Sequence, residues 1–220
     1  MAADADGSMV KLAVMGEGAV GKTTLSIQFT VGRFVDYYDP TIQDTCVKGL
    51  FALSFFFCCS LFFDSFSFFL LYFFAYSYRK TISVDGRAVI LEILDTAGQE
   101  DFSQLIAHWI RNYHVFLLVY SITNRPSFIA VSNIHKFISR HLEGQNVPYV
   151  LVGNKCDQEQ IREVSTAEAS VVAQQLDAEF LECSAKTRHN VDEVFHTAIR
   201  LFWRLNPVVA KKPKKRCIML

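Results

Sequence analysis

"KLAVMGEGAVGKT", Lys11 to Thr23, opens on an apolar run and closes on Gly-Lys-Thr. Lys11 to Gly16 reads as a buried strand, followed by a glycine-rich turn and a helix through about Thr30. Within it, Gly16 to Thr23 fits G-x-x-x-x-G-K-[ST], with a strand before and a helix after, as that pattern requires. The glycines let backbone N–H groups approach phosphate oxygens closely. Lys22 can reach the outer phosphates, and the Thr23 hydroxyl suits a Mg²⁺ ion. A chance match in a chain of this length has a probability on the order of 1%, so a plain glycine turn with a solvated lysine is a poor account.

Working outward, apolar runs alternate with helix-period segments. Ala88 to Thr96, Val115 to Ser121 and Pro148 to Asn154 read as strands, and Asp85-Gly86 as the turn before the first of them. Ser127 to Leu142 carries Phe128, Val131, Ile134, Phe137, Ile138 and Leu142 at helical spacing. A helix opens near Ser165 with a Ser-x-x-Glu168 capping box. "AEFLECS" reads as a short strand, and Asn190-x-x-Glu193 is expected to cap a last helix through about Leu205. This alternation predicts an α/β fold with a mainly parallel sheet covered by helices on both faces. The Gly16–Thr23 motif makes it one of the P-loop NTPase kind. An edge strand that makes it a six-stranded sheet is implied only by the resemblance that the following motifs carry.

Three further strings follow strands at the carboxyl edge, where open sheets bind ligands. In "NKCD" (Asn154 to Asp157), a carboxylate can accept from the paired N–H donors on the edge of guanine. Adenine has no such pair and would leave Asp157 unmatched. Asn154 and the Lys155 stem would steady the base and the loop. In "SAK" (Ser184 to Lys186), the Ala185 N–H is suited to the guanine oxygen. In "DTAGQE" (Asp95 to Glu100), Asp95 suits a water-bridged Mg²⁺, Gly98 can offer an N–H to a γ-phosphate, and Gln99 can orient an attacking water.

With these residues in place, the chain resembles a Ras-family small GTPase over 9–206. "FVDYYDPTIQD" (Phe34 to Asp44) is similar to the Ras first switch rather than to the Rab or Rho patterns. The resemblance implies a GTP-bound-on, GDP-bound-off switch needing GTP/GDP and Mg²⁺. Expected nucleotide contacts are Gly16, Gly18, Ala19, Gly21, Lys22, Thr23, Thr24, Phe34, Tyr38, Thr41, Gly98, Asn154, Lys155, Asp157, Ser184, Ala185 and Lys186. Thr23, Thr41 and Asp95 would hold the metal, and Gln99, Lys22 and Thr41 would serve catalysis. Phe34 would pack on guanine, Tyr38 would close over the phosphates, and Gly18 would leave room for an activating protein's arginine. No cis arginine is evident, so slow intrinsic hydrolysis and a GTPase-activating protein are implied, Ras itself being the reference case for this chemistry. An exchange factor and an effector reading Tyr38–Asp44 and Tyr78–Lys80 complete the implied partners. Gln43 and "DFSQLIAHW" (Asp101 to Trp109) depart from the usual switch sequences and bear on partner identity.

Composition bounds location. Net charge is zero, so no global field draws the chain to nucleic acid; a monomer is expected. The acidic start lacks a signal-peptide core, so residues 1–8 are read as a disordered, unsecreted N-terminus. Six scattered cysteines indicate reduced thiols. Residues 207–220 form a basic tail, "KKPKKRCIML", whose terminal Cys217-Ile-Met-Leu fits a prenylation box favouring geranylgeranyl. One lipid anchors weakly, and the five basic residues supply a second signal at an anionic leaflet. The expected location is therefore the cytoplasmic face of the plasma membrane, lipid-anchored and not transmembrane.

One stretch fits none of this. Eleven of the 20 phenylalanines fall between Phe51 and Phe74. In the family the effector segment runs on directly into Tyr-Arg-Lys. Here Asp44-Thr45 stops and Tyr78 resumes, so Cys46 to Ser77 reads as a 32-residue insert splitting the second, edge strand. A single membrane crossing would place Gly16–Thr23 and Asp157 on opposite sides of a bilayer, which one site cannot tolerate, and each half of a hairpin is too short to span. Phe, Ser, Leu, Tyr and Cys have pyrimidine-first, U-rich codons. Val47-Lys48 can be encoded GUA-AAR, as in a splice donor, and Ser77 AGY, as in an acceptor. The stretch is therefore read as a translated, unspliced intron. The alternative function is that of a misprocessed isoform which keeps nucleotide binding and loses effector binding.

Overall fold

The computed structural model describes residues 9–34, 75–96, 110–142 and 145–207. Strands β1 (Met9–Met15), β2 (Ala75–Val84), β3 (Arg87–Thr96), β4 (Val115–Ser121), β5 (Tyr149–Asn154) and β6 (Ala178–Glu182) form one sheet in the order β2-β3-β1-β4-β5-β6. All neighbours are parallel except the β2–β3 hairpin. Helices α1 (Lys22–Val31), α2 (Arg125–Leu142), α3 (Thr166–Gln175) and α4 (Val191–Leu205) cover it, as the alternating pattern predicts.

Strand alternation splits the core into two layers. Val10, Leu12 and Val14 of β1 face Leu25 and Phe29 of α1 and Phe195, Ile199 and Phe202 of α4. Ala13 and Met15 face the opposite layer, with Phe128, Val131 and Ile138 of α2 and Ala169 of α3. β4 is buried at all seven residues, which is why its sequence is an unbroken apolar run. The Phe29 and Phe195 rings stack with centroids 3.9 Å apart and lock α1 to α4.

The expected cap at Ser165 is present, its side chain accepting from the Glu168 N–H at 3.2 Å. The expected cap at Asn190 is not. Asn190 lies in the left-handed region (φ 54°) and its amide turns back to donate to the Glu182 carbonyl at 2.9 Å. With its backbone in the left-handed region and its amide turned to the preceding strand, Asn190 makes no side-chain bond to the first N–H groups of α4. The Asp85-Gly86 turn has positive φ at both residues (49° and 77°), the twist a two-residue hairpin needs.

The hairpin also moves one expectation. The strand was expected to resume at Tyr78, yet β2 starts at Ala75. Ala75, Tyr76 and Ser77 sit opposite Thr96, Asp95 and Leu94. Backbone pairing is largely indifferent to side-chain identity, so the antiparallel ladder takes whichever extended residues adjoin it. Three residues assigned to the end of the insert thus complete the sheet edge.

Candidate nucleotide-binding site

The chain passes from β1 to β2 and β3 on one side, then to β4, β5 and β6 on the other. The carboxyl end of β1 is therefore the topological switch point. Gly16 to Gly21 turn there into α1. The turn uses positive φ at Gly16 (153°), Ala19 (61°) and Gly21 (94°). A Cβ on Gly16 would lie 2.2 Å from the Val119 carbonyl oxygen, and one on Gly21 would lie 2.5 Å from Asn154 Nδ2, so neither position admits a side chain. Gly21 caps α1 with no side-chain hydrogen bond, leaving the N-terminal N–H groups aimed outward as an anion cradle. Gly18 and Ala19 are exposed, and Thr23 and Thr24 are half-buried in the first turn.

Lys22 is 5% exposed. Its ammonium donates to the carbonyls of Gly16 (2.9 Å) and Glu17 (2.6 Å), which holds it across the mouth of the turn. Burial lowers its pKa, against smaller raising effects from Asp95 and Glu17. Asp95 closes β3 opposite Val14 and is 1% exposed, with neither carboxylate oxygen in a hydrogen bond among the described residues. Burial raises its pKa to about 6. The Thr23 hydroxyl and the Lys22 charge pull the other way, although Thr23 does not reach strict hydrogen-bond geometry. A buried carboxylate without donors is costly unless a cation meets it. Next to it, Thr96 Oγ1 donates to the Val14 carbonyl at 2.9 Å and stitches the ends of β3 and β1.

Asn154, at the end of β5, is 2% exposed and ties the two halves together. Its Nδ2 donates to the Val20 carbonyl at 2.8 Å. Its Oδ1 accepts from the Ala185 N–H at 3.2 Å and from the Cys183 thiol at 3.7 Å. Lys155 Nζ donates to the Ala19 carbonyl at 2.8 Å from a backbone in the left-handed region. Asn154 and Lys155 thus brace the phosphate turn from the base side. Asp157 Oδ1 accepts from Ser184 Oγ at 2.6 Å, and Ser184 Oγ accepts from the Thr187 N–H at 3.1 Å. Lys186 is exposed beside them, and Phe34, 36% exposed, ends the first described segment. Tyr38, Thr41, Gly98, Gln99 and Cys217 lie outside the described residues.

The geometry therefore joins the Gly16–Gly21 turn, the buried Asp95 carboxylate and the loops after β5 and β6 at one sheet end. The Ras family profile matches residues 11–53 and 70–203. The chain belongs to the Ras family. It is 42% identical to the Ras-like protein rasS of Dictyostelium discoideum over 190 residues, covering 86% of this chain and 81% of that one. It is 39% identical to the Ras-like protein RAS2 of Hydra vulgaris over 215 residues, covering 96% and 95%. It is 38% identical to Protein ras-2 of Neurospora crassa over 211 residues, covering 87% and 78%. As a Ras-family protein it is a small G protein that hydrolyses GTP. The two matched segments of this Ras domain flank residues 54–69, within the phenylalanine-rich stretch.

Sequence patterns do not reveal every residue that shapes this Ras site. Thr96, Cys183 and the pair Arg162–Glu182 act through contacts across 20 to 82 positions of sequence. No local spacing signals them. No described helix is long and apolar enough to cross a membrane.

Proposed function

We propose that this protein is a Ras-type switch that is on with GTP, off with GDP, and held by a lipid at the cytoplasmic face of the plasma membrane. The orphaned Asp95 carboxylate carries the phosphate half of that reading. Buried beside Thr23 and Lys22, it is a hard oxygen donor, which fits Mg²⁺, and Thr23 and Asp95 would be among the residues holding the ion with Thr41 as the third. Bound there, such an ion would supply positive charge against that developing on the phosphates. Lys22 stabilises the β/γ oxygens, the Gly98 N–H meets the γ-phosphate, and Gln99 aligns the water. Catalysis is mainly positioning and electrostatics. Asp157, steadied by Ser184, reads guanine, while Phe34 and Ala185 contact the base. A GTPase-activating protein, an exchange factor and an effector are the proposed partners of a monomer, and Cys217 with its basic run is the proposed anchor.

Competition tests the nucleotide reading. Bound fluorescent GDP should be displaced by GTP in Mg²⁺ and left in place by a large excess of ATP. Equal displacement by ATP would sink it. Carbonate extraction should release a Cys217→Ser variant that wild-type membranes retain, and a variant that stays bound would refute lipid anchoring.

One observation favours the second reading, that the full-length chain is a misprocessed isoform which keeps nucleotide binding and loses effector binding. The sheet positions opposite Asp95 and Thr96 are filled by Tyr76 and Ala75. These are the rungs that Asp44 and Gln43 would take in a chain lacking Cys46 to Ser77. Sequencing of spliced transcripts tests the origin: abundant mature message encoding Cys46 to Ser77 would reject the intron.

A further inference from the structure

Arg162 ends the 3-10 turn Cys156–Ile161 that begins beside Asp157. Its guanidinium forks onto Glu182 of β6, Nη1 to Oε1 at 2.7 Å and Nη2 to Oε2 at 2.9 Å. The two side chains are only 15% and 19% exposed. Arg162 also bonds Glu159 and the Val164 carbonyl, and Glu182 also accepts from the Thr166 hydroxyl. Two residues beyond Glu182, Ser184 holds the Asp157 carboxylate at 2.6 Å. Between these ends, the Cys156 N–H donates to the Cys183 carbonyl at 3.1 Å. The loop carrying Asp157 and the loop carrying Ser184 and Ala185 are thus fastened at both ends, and Arg162–Glu182 is the far fastening. Gly153 lies beneath the pair, where an added Cβ would come 2.8 Å from Tyr120 Oη and 3.3 Å from Glu182 Cγ.

We propose that Arg162 and Glu182 are positioning residues for base recognition: they fix the spacing of the two base loops and thereby the discrimination between guanine and bases lacking its 2-amino group. The inference rests on Asp157 reading guanine as proposed above. A planar bidentate pair fixes both distance and angle, which a single point contact does not. Releasing it lets Asp157 swing, which weakens a hydrogen bond to the 2-amino group while the phosphate turn, braced by Asn154 and Lys155, stays put.

The test compares release of GDP and inosine diphosphate, which lacks only the 2-amino group. Wild type should prefer GDP by roughly 10- to 100-fold, the worth of one hydrogen bond to a charged group. Arg162→Met should lower that preference about five- to tenfold, with release of inosine diphosphate, which keeps one of the two N–H donors facing Asp157, accelerated less than release of GDP. Arg162→Lys should fall between, because it keeps the charge and loses the fork. Glu182→Gln should follow the same order and serves if Arg162→Met does not fold. Arg125→Met, which removes the exposed Arg125–Glu168 pair, should leave the preference unchanged. Equal acceleration of both nucleotides, or no change in either, would overturn the proposal. A wild type with no preference for GDP would overturn the guanine reading beneath it.

Discussion

Asp95 is buried at the end of β3, and it titrates accordingly. Its folded pKa, about 6, lies above its ordinary value of 3.8. A raised carboxylate pKa means that ionisation costs folded-state stability. The cost is absent below about pH 4 and complete above about pH 6. Metal-free, nucleotide-free protein should therefore lose up to about 3 kcal/mol from this group as pH rises through that window. Denaturation of wild type against Asp95→Asn across pH should show the difference growing upward, and saturating Mg²⁺ should flatten it. A difference independent of pH would refute the assignment. Asn154 is the complementary case, a buried amide with all its bonds made. Asn154→Ala strands the Val20 carbonyl and the Ala185 N–H, at about 1–3 kcal/mol each before relaxation. Nucleotide release should quicken by at least about tenfold in a stopped-flow assay.

Among the elements, α1 and β2 are joined by one side chain. Lys80 donates to the Phe29 carbonyl in the last turn of α1, and its ammonium lies 4.4 Å from the Phe29 ring centroid. A cation at a helix C-terminus is favourable, and the contact draws Lys80 inward, away from the outer surface expected of an effector-contacting residue. Its neighbour Arg79 pairs with Glu92 at 2.8 Å across the hairpin. Lys80→Met should cost about 1 kcal/mol in chemical denaturation, whereas exposed Thr81→Ser should cost little. The helix starts behave differently from one another. Ser165→Ala should destabilise α3 by about 1 kcal/mol, because its hydroxyl is a true cap. Asn190→Gly should be nearly neutral or mildly stabilising, because glycine suits φ 54° and only the bond to the Glu182 carbonyl is lost. Amide exchange in the first turns of α3 and α4 would separate the two cases.

For the whole molecule, the consequence of the phenylalanine-rich stretch follows from register. Deleting Cys46 to Ser77 would bring Thr45, Asp44 and Gln43 to the rungs opposite Leu94, Asp95 and Thr96. That form should bind GTP and effector. The full chain should keep guanine nucleotide, since the described site residues lie outside the stretch, but be aggregation-prone and effector-defective. Size-exclusion profiles and pull-down on immobilised Ras effectors would measure this. Equal solubility and effector affinity in the two forms would reject it.

Much of this was legible in the sequence because it is local. Strand and helix periods, the Gly16–Thr23 turn, the Asp85-Gly86 hairpin and the Ser165 cap each depend on residues within a few positions of one another. The string "NKCD" likewise marks the base edge by its order after a strand. What the sequence determined by itself, then, is the element order and the chemistry each loop carries. Tertiary structure decided where that chemistry acts. It left Asp95 buried without a partner, set Asn154 against Val20, and closed Arg162 on Glu182 across 20 positions. It gave Asn190 to a strand carbonyl rather than a helix, and opened β2 at Ala75. The physical reason is the same in each case: hydrogen bonds and burial are settled between distant segments, and backbone pairing accepts whatever extended chain lies alongside.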